Sequence, residues 1–261
     1  MSTKSMFKKI SRKTAQAIKT FNMIEEGDRL MVGISGGKDS LLLMHVMTHL
    51  QRRAPINFEV IGATIDPGFN EFNPTELKKY AEENNWTYHV APVDMQPILD
   101  QKNHSKNPCS LCSRIRRGQL HKLMDELNCN KLVLGHHLTD ICVSLLIGLF
   151  RGHGLKTMGP NVLADSGTKR LIRPFAFVPE EWIIEERENY EFPVTGDCDY
   201  IEQVEDTGDR AFLAKWVREL EEKFPHIQET MLASMMDVRT DHLLDLKLLQ
   251  SVIPGLPSND A

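Results

Sequence analysis

The sequence predicts an α/β fold: a parallel five-stranded sheet with helices on both faces, followed by a helical C-terminal extension. Two observations lead to this fold class. Short apolar runs alternate with helix-favouring segments, which is typical of βαβ units and hence of a parallel sheet covered on both sides. From about residue 179 the chain becomes acidic and helix-favouring instead.

Each element can be justified in order along the chain. Residues 29–34 and 58–65 are apolar runs that predict strands. Asn73 followed by Pro74 marks the start of a helix, because Asn caps helices and Pro suits the first turn. The other predicted elements are a helix over 41–50, strands over 86–91 and 131–134, and helices over about 111–127, 139–149, 209–223 and 226–249.

Charge is unevenly distributed in this chain of 261 residues with a net charge of −5. Residues 1–20 carry six basic side chains and no acid, so the remainder carries −11. Residues 180–222 hold fifteen acids against four basic residues. The net charge therefore does not argue against a nucleic-acid partner, because a basic segment can contact RNA while the body stays acidic.

Composition excludes several classes of protein. With 41% hydrophobic and 26% charged residues, the chain is neither disordered nor collagen-like. No apolar run approaches the ~18 residues of a membrane-spanning helix, and the N-terminus lacks a signal-peptide core, so we expect a cytoplasmic protein with no membrane partner. Five cysteines in a reducing compartment are expected to be metal ligands, catalytic thiols or core residues rather than disulfides.

A candidate anion-binding loop follows the first strand directly and precedes a helix. Glycine amides can approach a phosphate closely, and the helix N-terminus adds partial positive charge. The loop is not a Walker A motif, because Val32 and Asp39 occupy positions where that motif needs Gly and Ser or Thr. Its residues are Ser35, Gly36, Gly37, Lys38, Asp39 and Ser40.

The cysteines offer a second candidate site. Cys109 and Cys112 form a CxxC pair, which can hold a metal or cluster, act as a redox pair, or arise by chance. Cys198 lies in a turn-rich segment, whereas Cys129 and Cys142 are interpreted as structural thiols. Three thiolates can hold a [4Fe–4S] cluster and leave one iron open, which is useful for sulfur delivery.

Together these motifs resemble known families. SGGKDS resembles the pyrophosphate loop of the PP-loop ATP pyrophosphatases. NPCSLCSRIRRGQLH, followed by VLGHHLTDI and LIRPFAF, resembles the tRNA 2-thiocytidine synthetase (TtcA) family, and the likeness covers about residues 8 to 245. The resemblance implies ATP- and Mg²⁺-dependent thiolation of a tRNA cytidine (C32 of the anticodon loop), a [4Fe–4S] cluster, a sulfur donor such as a cysteine desulfurase, and a homodimer.

The resemblance also implies roles for residues and boundaries for segments. It assigns the loop residues 35–40 to ATP, with Asp39 binding Mg²⁺ or orienting the loop, and Cys109 and Cys112 to the cluster. Cys198 is the candidate for the third ligand, and the expected catalytic residues are these three cysteines and Asp39. The expected segments are a basic N-terminal arm or helix (1–24), a PP-loop ATP-binding domain with a CxxC insertion (25–178), and a helical extension carrying Cys198 (179–261).

The sequence departs from that family at two places. The family has a second CxxC after a Phe-Pro dipeptide, whereas here Phe192 and Pro193 precede Cys198 alone, which is the sole candidate for a third ligand. The family's GHHRDD motif is GHHLTD here, so its basic residue and first acid are missing while Asp140 remains.

Other residues at strand ends have two interpretations each. Gly135 and Asp140 flank a His-His pair beside the expected ATP site; the two histidines could bind a metal but more often pack locally. Asp66 could contact nucleotide or metal, or could simply be a turn residue. Arg173 could reach a phosphate or brace the domain junction.

Basic side chains in two segments are candidates for tRNA binding, since they could contact the phosphate backbone. The alternative interpretation is an ordinary solvated charged face. The candidates are Lys8, Lys9, Arg12, Lys13, Arg114, Arg116 and Arg117.

The favoured hypothesis is an enzyme that adenylates O2 of the cytidine with ATP and replaces the oxygen by sulfur, carried either as cluster-bound sulfide or as a cysteine persulfide. A PP-loop sulfurtransferase or ligase acting on another tRNA base or on a small molecule, with the CxxC structural or zinc-binding, is the second hypothesis. A non-enzymatic metal-binding module is the third.

Overall fold

The computed structural model describes residues 4–69, 72–95, 108–164, 167–196, 208–250 and 253. Cys198 therefore lies outside the described residues, and of Cys109 only the backbone is described. The helices are α1 (Lys4–Thr20), α2 (Lys38–Gln51), α3 (Pro74–Glu83), α4 (Pro108–Glu126), α5 (Leu138–Phe150), α6 (Glu180–Arg187), α7 (Asp209–Lys223), α8 (Ile227–Met236) and α9 (Leu246–Gln250).

The sheet has five parallel strands, the predicted number, and one more; four of the five correspond to the strands that the sequence pattern located. In spatial order the strands are β3 (Tyr88–Pro92), β2 (Glu59–Asp66), β1 (Arg29–Gly33), β4 (Lys131–Val133), β6 (Arg170–Ile172) and β5 (Asn161–Leu163). The additional strand β5 pairs antiparallel with β6 at the edge, whereas every other pairing is parallel. Neither β5 nor β6 was predicted, because each contains only two apolar residues, whereas the equally short β4 lies in the longer apolar run 131–134.

Helices cover both faces of the sheet, as predicted. Leu30 and Val32 of β1 face the larger core with α1, α2 and α6, while Met31 between them faces Leu123 and Met124 of α4. The alternation follows from the period of two in a strand. The sheet order reverses beside β1, because β2 and β4 flank it, and open α/β sheets bind ligands at such a switch point.

The basic N-terminal segment is a docked helix rather than a free arm. Met6, Ile10 and Ala17 are buried along one side of α1, which packs against α2, α6 and the 3₁₀ turn Pro174–Phe177. A helix amphipathic in this way buries its apolar stripe and leaves its charges outside. The segment is therefore part of the main core.

The C-terminal helices attach to α5. Leu213 and Val217 of α7 form a buried cluster with Val143 and Leu146. The single helix predicted over about 226–249 is wrong, because α8 ends at Met236 and α9 begins only at Leu246. The Asp245 carboxylate accepts hydrogen bonds from the backbone N–H groups of Lys247 and Leu248, which starts a new helix there.

Candidate active site

The loop of residues 35–40 joins the end of β1 to the first turn of α2. Its two serines hold it together: the Ser35 amide donates to Ser40 Oγ at 3.2 Å, and Ser40 Oγ donates to the Gly37 carbonyl at 2.9 Å. Gly37 is the N-terminal cap of α2 and offers no side chain, so the helix N-terminus stays open. An open helix N-terminus with glycine amides beside it suits an anionic ligand.

Position 36 requires glycine for two reasons, the backbone conformation and the closeness of Thr195. Its φ of +92° is a conformation that favours glycine, and a Cβ there would overlap Oγ1 of Thr195 and lie 2.8 Å from its Cγ2. Residues 192–196, which we call the strap, thus lie directly against the loop. The Thr195 carbonyl also accepts a hydrogen bond from the Asn73 amide at 2.9 Å, which ties the strap to the start of α3.

A cleft of about 470 Å³ lies between the loop and the strap. This volume is in the range typical of small-molecule sites. The loop contributes Gly36, Gly37, Lys38 and Asp39 to its lining, while Arg187 and the whole strap form the other side.

Lys38 is held by two carboxylates. Its Nζ lies 3.2 Å from Asp39 and 3.0 Å from Glu180, the first residue of α6. Burial alone would lower the pKa of Lys38, but attraction to Asp39 and Glu180 outweighs it and raises the pKa. Burial raises the pKa of Asp39 despite the opposing attraction of Lys38. Lys38 is therefore a protonated cation at neutral pH.

The segment after β4 packs onto the same loop. A Cβ on Gly135 would lie 3.2 Å from backbone atoms of Asp39 and Ser40, so glycine permits this approach. His137 and Asp140 form a reciprocal cap at the start of α5, in which the His137 amide donates to Asp140 Oδ2 at 3.1 Å. Asp140 is thus occupied with the helix cap and with Arg210, 3.4 Å away.

His136 and Arg173 meet beside this segment. Arg173 Nε donates to His136 Nδ1 at 3.4 Å, and its NH1 donates to the Gly159 carbonyl. Burial lowers the pKa of His136 to about 4, so the ring is neutral at pH 7 and can accept. Burial and the nearby Arg117 lower the pKa of Arg173 to about 10. Arg173 thus connects the loop region to the edge strands.

Asp66 occupies a turn. Its Oδ1 accepts the Gly68 amide at 2.9 Å, directly after β2, which fits the turn-residue interpretation. Asp66 is the last residue of β2, at the carboxyl end of the sheet, and its contact with a nucleotide stays a prediction.

The CxxC pair lies in the first turns of α4, near the carboxyl end of β2. Cys112 is half-buried, with Sγ 3.6 Å from Met95 Sδ, in a cluster that includes Ile65. Cys109 and Cys112 are three residues apart on one helix and therefore share a face. Cys129 and Cys142 are buried as interpreted, and burial raises the pKa of Cys142 to about 12, so it stays a thiol.

The predicted tRNA-binding residues differ in how far their side chains are exposed to solvent. Lys8, Arg12, Arg114 and Arg117 are exposed, whereas Lys9, Lys13 and Arg116 are half-buried. Lys9 Nζ lies 5.9 Å from the centre of the Trp182 ring, and Arg116 lines a cavity beside Ser35.

Sequence reasoning missed several residues at this site. Glu180, Thr195 and Arg187 come from the acidic C-terminal segment. His137 is not among the missed residues, because its place as a helix cap agrees with the interpretation that the His-His pair packs locally. No local pattern marks Glu180 as a partner of a lysine 142 residues earlier.

An aromatic cluster anchors the strap. His45 of α2 has its Nε2 2.8 Å from the Tyr80 hydroxyl and its ring centre 4.7, 4.6 and 6.1 Å from those of Trp86, Tyr190 and Phe192. Burial lowers the pKa of His45 to about 4. Phe192 is the first residue of the strap, so this cluster fixes where the strap leaves the core.

We expect the free energy of unfolding of His45→Phe to depend less on pH below about pH 6.5 than that of the wild type. In the unfolded chain the histidine binds a proton near pH 6.5 but in the native state only near pH 4, so stability present above pH 6.5 is lost as the pH falls. Between pH 8 and pH 5, the lowered pKa of His45 reduces the free energy of unfolding of the wild type by about 2 kcal/mol at most. Urea unfolding at both pH values measures it. An unchanged pH dependence in the variant would contradict the burial of His45, and His153→Phe is the exposed control.

Fold and loop together define a class of protein. An open parallel sheet with a serine–glycine loop between its first strand and second helix, and a lysine at the helix N-terminus, is a PP-loop nucleotide-binding architecture, and the PP-loop domain family matches residues 6–197.

The chain belongs more particularly to the tRNA-cytidine 2-sulfurtransferase family and is a sulfurtransferase of the PP-loop class. It is 38% identical over 245 residues to the tRNA-cytidine(32) 2-sulfurtransferase of Geotalea daltonii, covering 94% of this chain and 97% of that one. The Geobacter sulfurreducens protein of the same name is also 38% identical over 245 residues, covering 93% and 94% of the two chains.

A solved structure shares the fold. The U34-tRNA thiolase NcsA from Methanococcus maripaludis, determined with its [4Fe–4S] cluster, aligns with a TM-score of 0.68 at 21% identity, covering 89% of this chain and 78% of that one. Within the described ranges, no helix combines the length and apolar character needed to cross a membrane.

Proposed function

We propose that this chain thiolates cytidine 32 of tRNA, using ATP to activate O2 of the base. The observation that carries the proposal is the phosphate site: an open helix N-terminus, two glycines and a protonated Lys38 facing a cleft of about 470 Å³. The relatives that bear the name tRNA-cytidine(32) 2-sulfurtransferase support the choice of base.

The chemistry proceeds in two steps. The base O2 attacks the α-phosphorus of ATP, and pyrophosphate leaves while AMP becomes attached to the base. A sulfur nucleophile then adds to C2, and AMP departs with the former O2. The loop amides and Lys38 stabilise the charge that develops on pyrophosphate, as preorganised donors do in enzyme sites.

Mg²⁺ fits a pair of carboxylates in this site. Asp39 and Glu180 both contact the same ammonium group, at 3.2 and 3.0 Å, so their oxygens already surround a cation. Carboxylates beside substrate phosphates are the protein ligands that Mg²⁺ uses. When bound, Mg²⁺ would neutralise phosphate charge, and Lys38 would be free to bind the phosphates.

We expect Glu180→Gln to raise the Mg²⁺ concentration for half-maximal thiolation by about tenfold, which is about 1.4 kcal/mol of lost binding. Glu181→Gln is the matched control, because Glu181 is exposed on the next position of α6. A Mg²⁺ titration of initial rates measures both variants. Equal Mg²⁺ requirements in wild type and Glu180→Gln would exclude this carboxylate as a ligand.

A [4Fe–4S] cluster fits the cysteine set. Cys112 is half-buried beside Met95 and shares a helix face with Cys109, so both can approach one cluster. The strap is described as far as Gly196, two residues before Cys198, and lies beside the loop. When held by these three thiolates, the cluster would supply sulfur at an iron that no cysteine binds.

The proposal extends to partners. A sulfur donor such as a cysteine desulfurase would supply the sulfur, and the family resemblance implies a homodimer. Exposed Arg12, Arg114 and Arg117 are the proposed contacts to the tRNA backbone, together with Lys8.

Anaerobic reconstitution tests the function. The full chain is loaded with iron and sulfide, incubated with ATP, Mg²⁺, sulfide and bulk tRNA, and the tRNA nucleosides are analysed by mass spectrometry. We expect 2-thiocytidine together with equal amounts of AMP and pyrophosphate, and none with a tRNA whose cytidine 32 is replaced by uridine. Thiolation of another base would overturn the choice of C32, and no thiolation would overturn the function.

A further inference from the structure

The two carboxylate oxygens of Glu180 contact cations from two different parts of the fold. Oε1 lies 3.0 Å from Nζ of Lys38 in the phosphate loop, and Oε2 lies 3.5 Å from NH1 of Arg218 on α7. The Glu180 side chain is 18% exposed, whereas that of Arg218 is 48% exposed. A single, mostly buried carboxylate therefore joins the phosphate loop to the C-terminal helices.

The backbone of Glu180 is also held by the C-terminal helices. Its amide donates to Oγ1 of Thr139 at 3.2 Å, and the Thr139 hydroxyl donates to Oε1 of Gln228 on α8 at 2.7 Å. Thr139 and Gln228 are both buried, so these hydrogen bonds are shielded from water. None of these contacts involves Lys38, so they can keep Glu180 in place when the lysine moves.

The packing of α7 sets the position of Arg218. Val217, the preceding residue, is fully buried, and together with Leu213 it packs against Val143 and Leu146 of α5. A closely packed interior allows little movement of such a residue. The Arg218 side chain therefore starts from a fixed point within reach of Glu180.

Lys38 has to exchange partners when a phosphate group binds. Its ammonium group lies between the carboxylates of Asp39 and Glu180, at 3.2 and 3.0 Å, and pyrophosphate oxygens compete with them for the same cation. A mostly buried carboxylate that loses its cation is destabilised unless another partner remains. His137 Nε2 lies 3.9 Å from Glu180 Oε1, beyond hydrogen-bond distance, and its ring already caps α5. Arg218 is the closer cation that remains.

We propose that Arg218 is a positioning residue, which holds Glu180 by its second oxygen so that Lys38 can leave it for the phosphates. The proposal rests on the proposed binding of ATP and pyrophosphate at the loop, and it assigns α7 a task in that site. Arg218 acts through Glu180 and does not bind the phosphates itself. Without Arg218, releasing Lys38 would cost Glu180 more, so pyrophosphate would bind more weakly.

A double-variant cycle tests this assignment. Calorimetric titration of the anaerobic holoprotein with pyrophosphate, in buffer without Mg²⁺, compares wild type, Arg218→Met, Glu180→Gln and the variant that combines both changes. Arg218→Lys tests rescue by a conservative change. Lys215→Met is the matched control for loss of one charge from α7, because Lys215 pairs with Glu219 at 3.9 Å instead of with Glu180. Far-UV circular dichroism and urea unfolding verify that each variant is folded.

We expect Arg218→Met to weaken pyrophosphate binding about fivefold, the upper range for a partly exposed ion pair, with Arg218→Lys intermediate. Lys215→Met should stay within about twofold of wild type. Glu180→Gln should bind pyrophosphate at least as tightly as wild type, because one competitor for Lys38 is gone. Adding Arg218→Met to Glu180→Gln should change the affinity by less than about twofold, because Arg218 then has no carboxylate to hold.

Two results would overturn the role of Arg218. An equal loss of pyrophosphate affinity with and without Glu180→Gln would mean that Arg218 acts on the phosphates directly or through general destabilisation. Unchanged pyrophosphate affinity in Arg218→Met would mean that Glu180 does not need this partner. If the wild type bound neither pyrophosphate nor ATP, the proposed function itself would fail, and the role of Arg218 with it.

Discussion

Cys112→Ala is expected to abolish thiolation, by at least about a thousandfold, and to reduce iron from about four per chain to near zero. A [4Fe–4S] cluster needs its thiolate ligands, and with three cysteines available none can be replaced by another. ATP affinity should stay within about twofold of wild type, because the phosphate loop does not depend on the cysteine. Iron analysis, the absorption spectrum of the anaerobic protein and nucleoside mass spectrometry measure these effects.

The matched control for this variant is Cys129→Ala. Cys129 is buried in the segment that follows α4, with Sγ 3.8 Å from the Leu127 carbonyl, so its replacement should leave iron and thiolation unchanged. Cys198→Ala should behave like Cys112→Ala if it is the third ligand. Full iron content in Cys112→Ala would exclude a cluster at the CxxC pair, and iron loss in both Cys112→Ala and Cys129→Ala would indicate general destabilisation.

Gly36→Ala is expected to lower pyrophosphate affinity by at least about tenfold and the free energy of unfolding by about 1–2 kcal/mol or more. The left-handed backbone alone costs about 1–2 kcal/mol for a residue with a Cβ. The Cβ would also overlap Oγ1 of Thr195, so the strap or the loop has to move. Calorimetric titration with pyrophosphate and urea unfolding measure the two effects.

Two further variants separate the cost of the left-handed backbone at position 36 from the cost of the overlap with Thr195. Gly37→Ala is the control, because its φ is −73° and the nearest atom to an added Cβ is Ser35 Oγ at 3.5 Å, so it should lose much less stability. Gly36→Ala combined with Thr195→Ala removes Oγ1 and Cγ2 of Thr195 and leaves only its Cβ, 3.0 Å from the added Cβ, so it should recover part of the loss. No recovery in the double variant would mean that the strap does not limit the loop.

Sequence alone predicted the parts of the site that are local. The strand, loop and helix around residues 35–40 are continuous in sequence, so the strand pattern and the two glycines were sufficient. The packing of the N-terminal helix against the core could also be predicted from the sequence, because Met6, Ile10 and Ala17 recur at helical spacing. Helical spacing would also have placed Arg116 on the stripe of Leu120 and Leu123, away from the exposed Arg114 and Arg117.

Other parts depend on packing between distant segments. The approach of Thr195 to Gly36 and of Glu180 to Lys38 joins residues more than 140 positions apart. Nothing in the acidic C-terminal composition distinguishes Glu180 from Glu181, although the first is half-buried on Lys38 and the second is exposed. Such partners are selected by the topology of the sheet, which brings its strand ends and the start of α6 to one edge.

The contact between Lys38 and Glu180 has a consequence for synthesis on the ribosome. A nascent chain that ends at residue 178 already contains the loop and every strand of the described sheet. It lacks Glu180, and it also lacks Ile183, which is fully buried in the core against the first two helices. Translation therefore completes the strands of the sheet before it reaches Glu180, so a polypeptide truncated at residue 178 has Lys38 without this ion-pair partner.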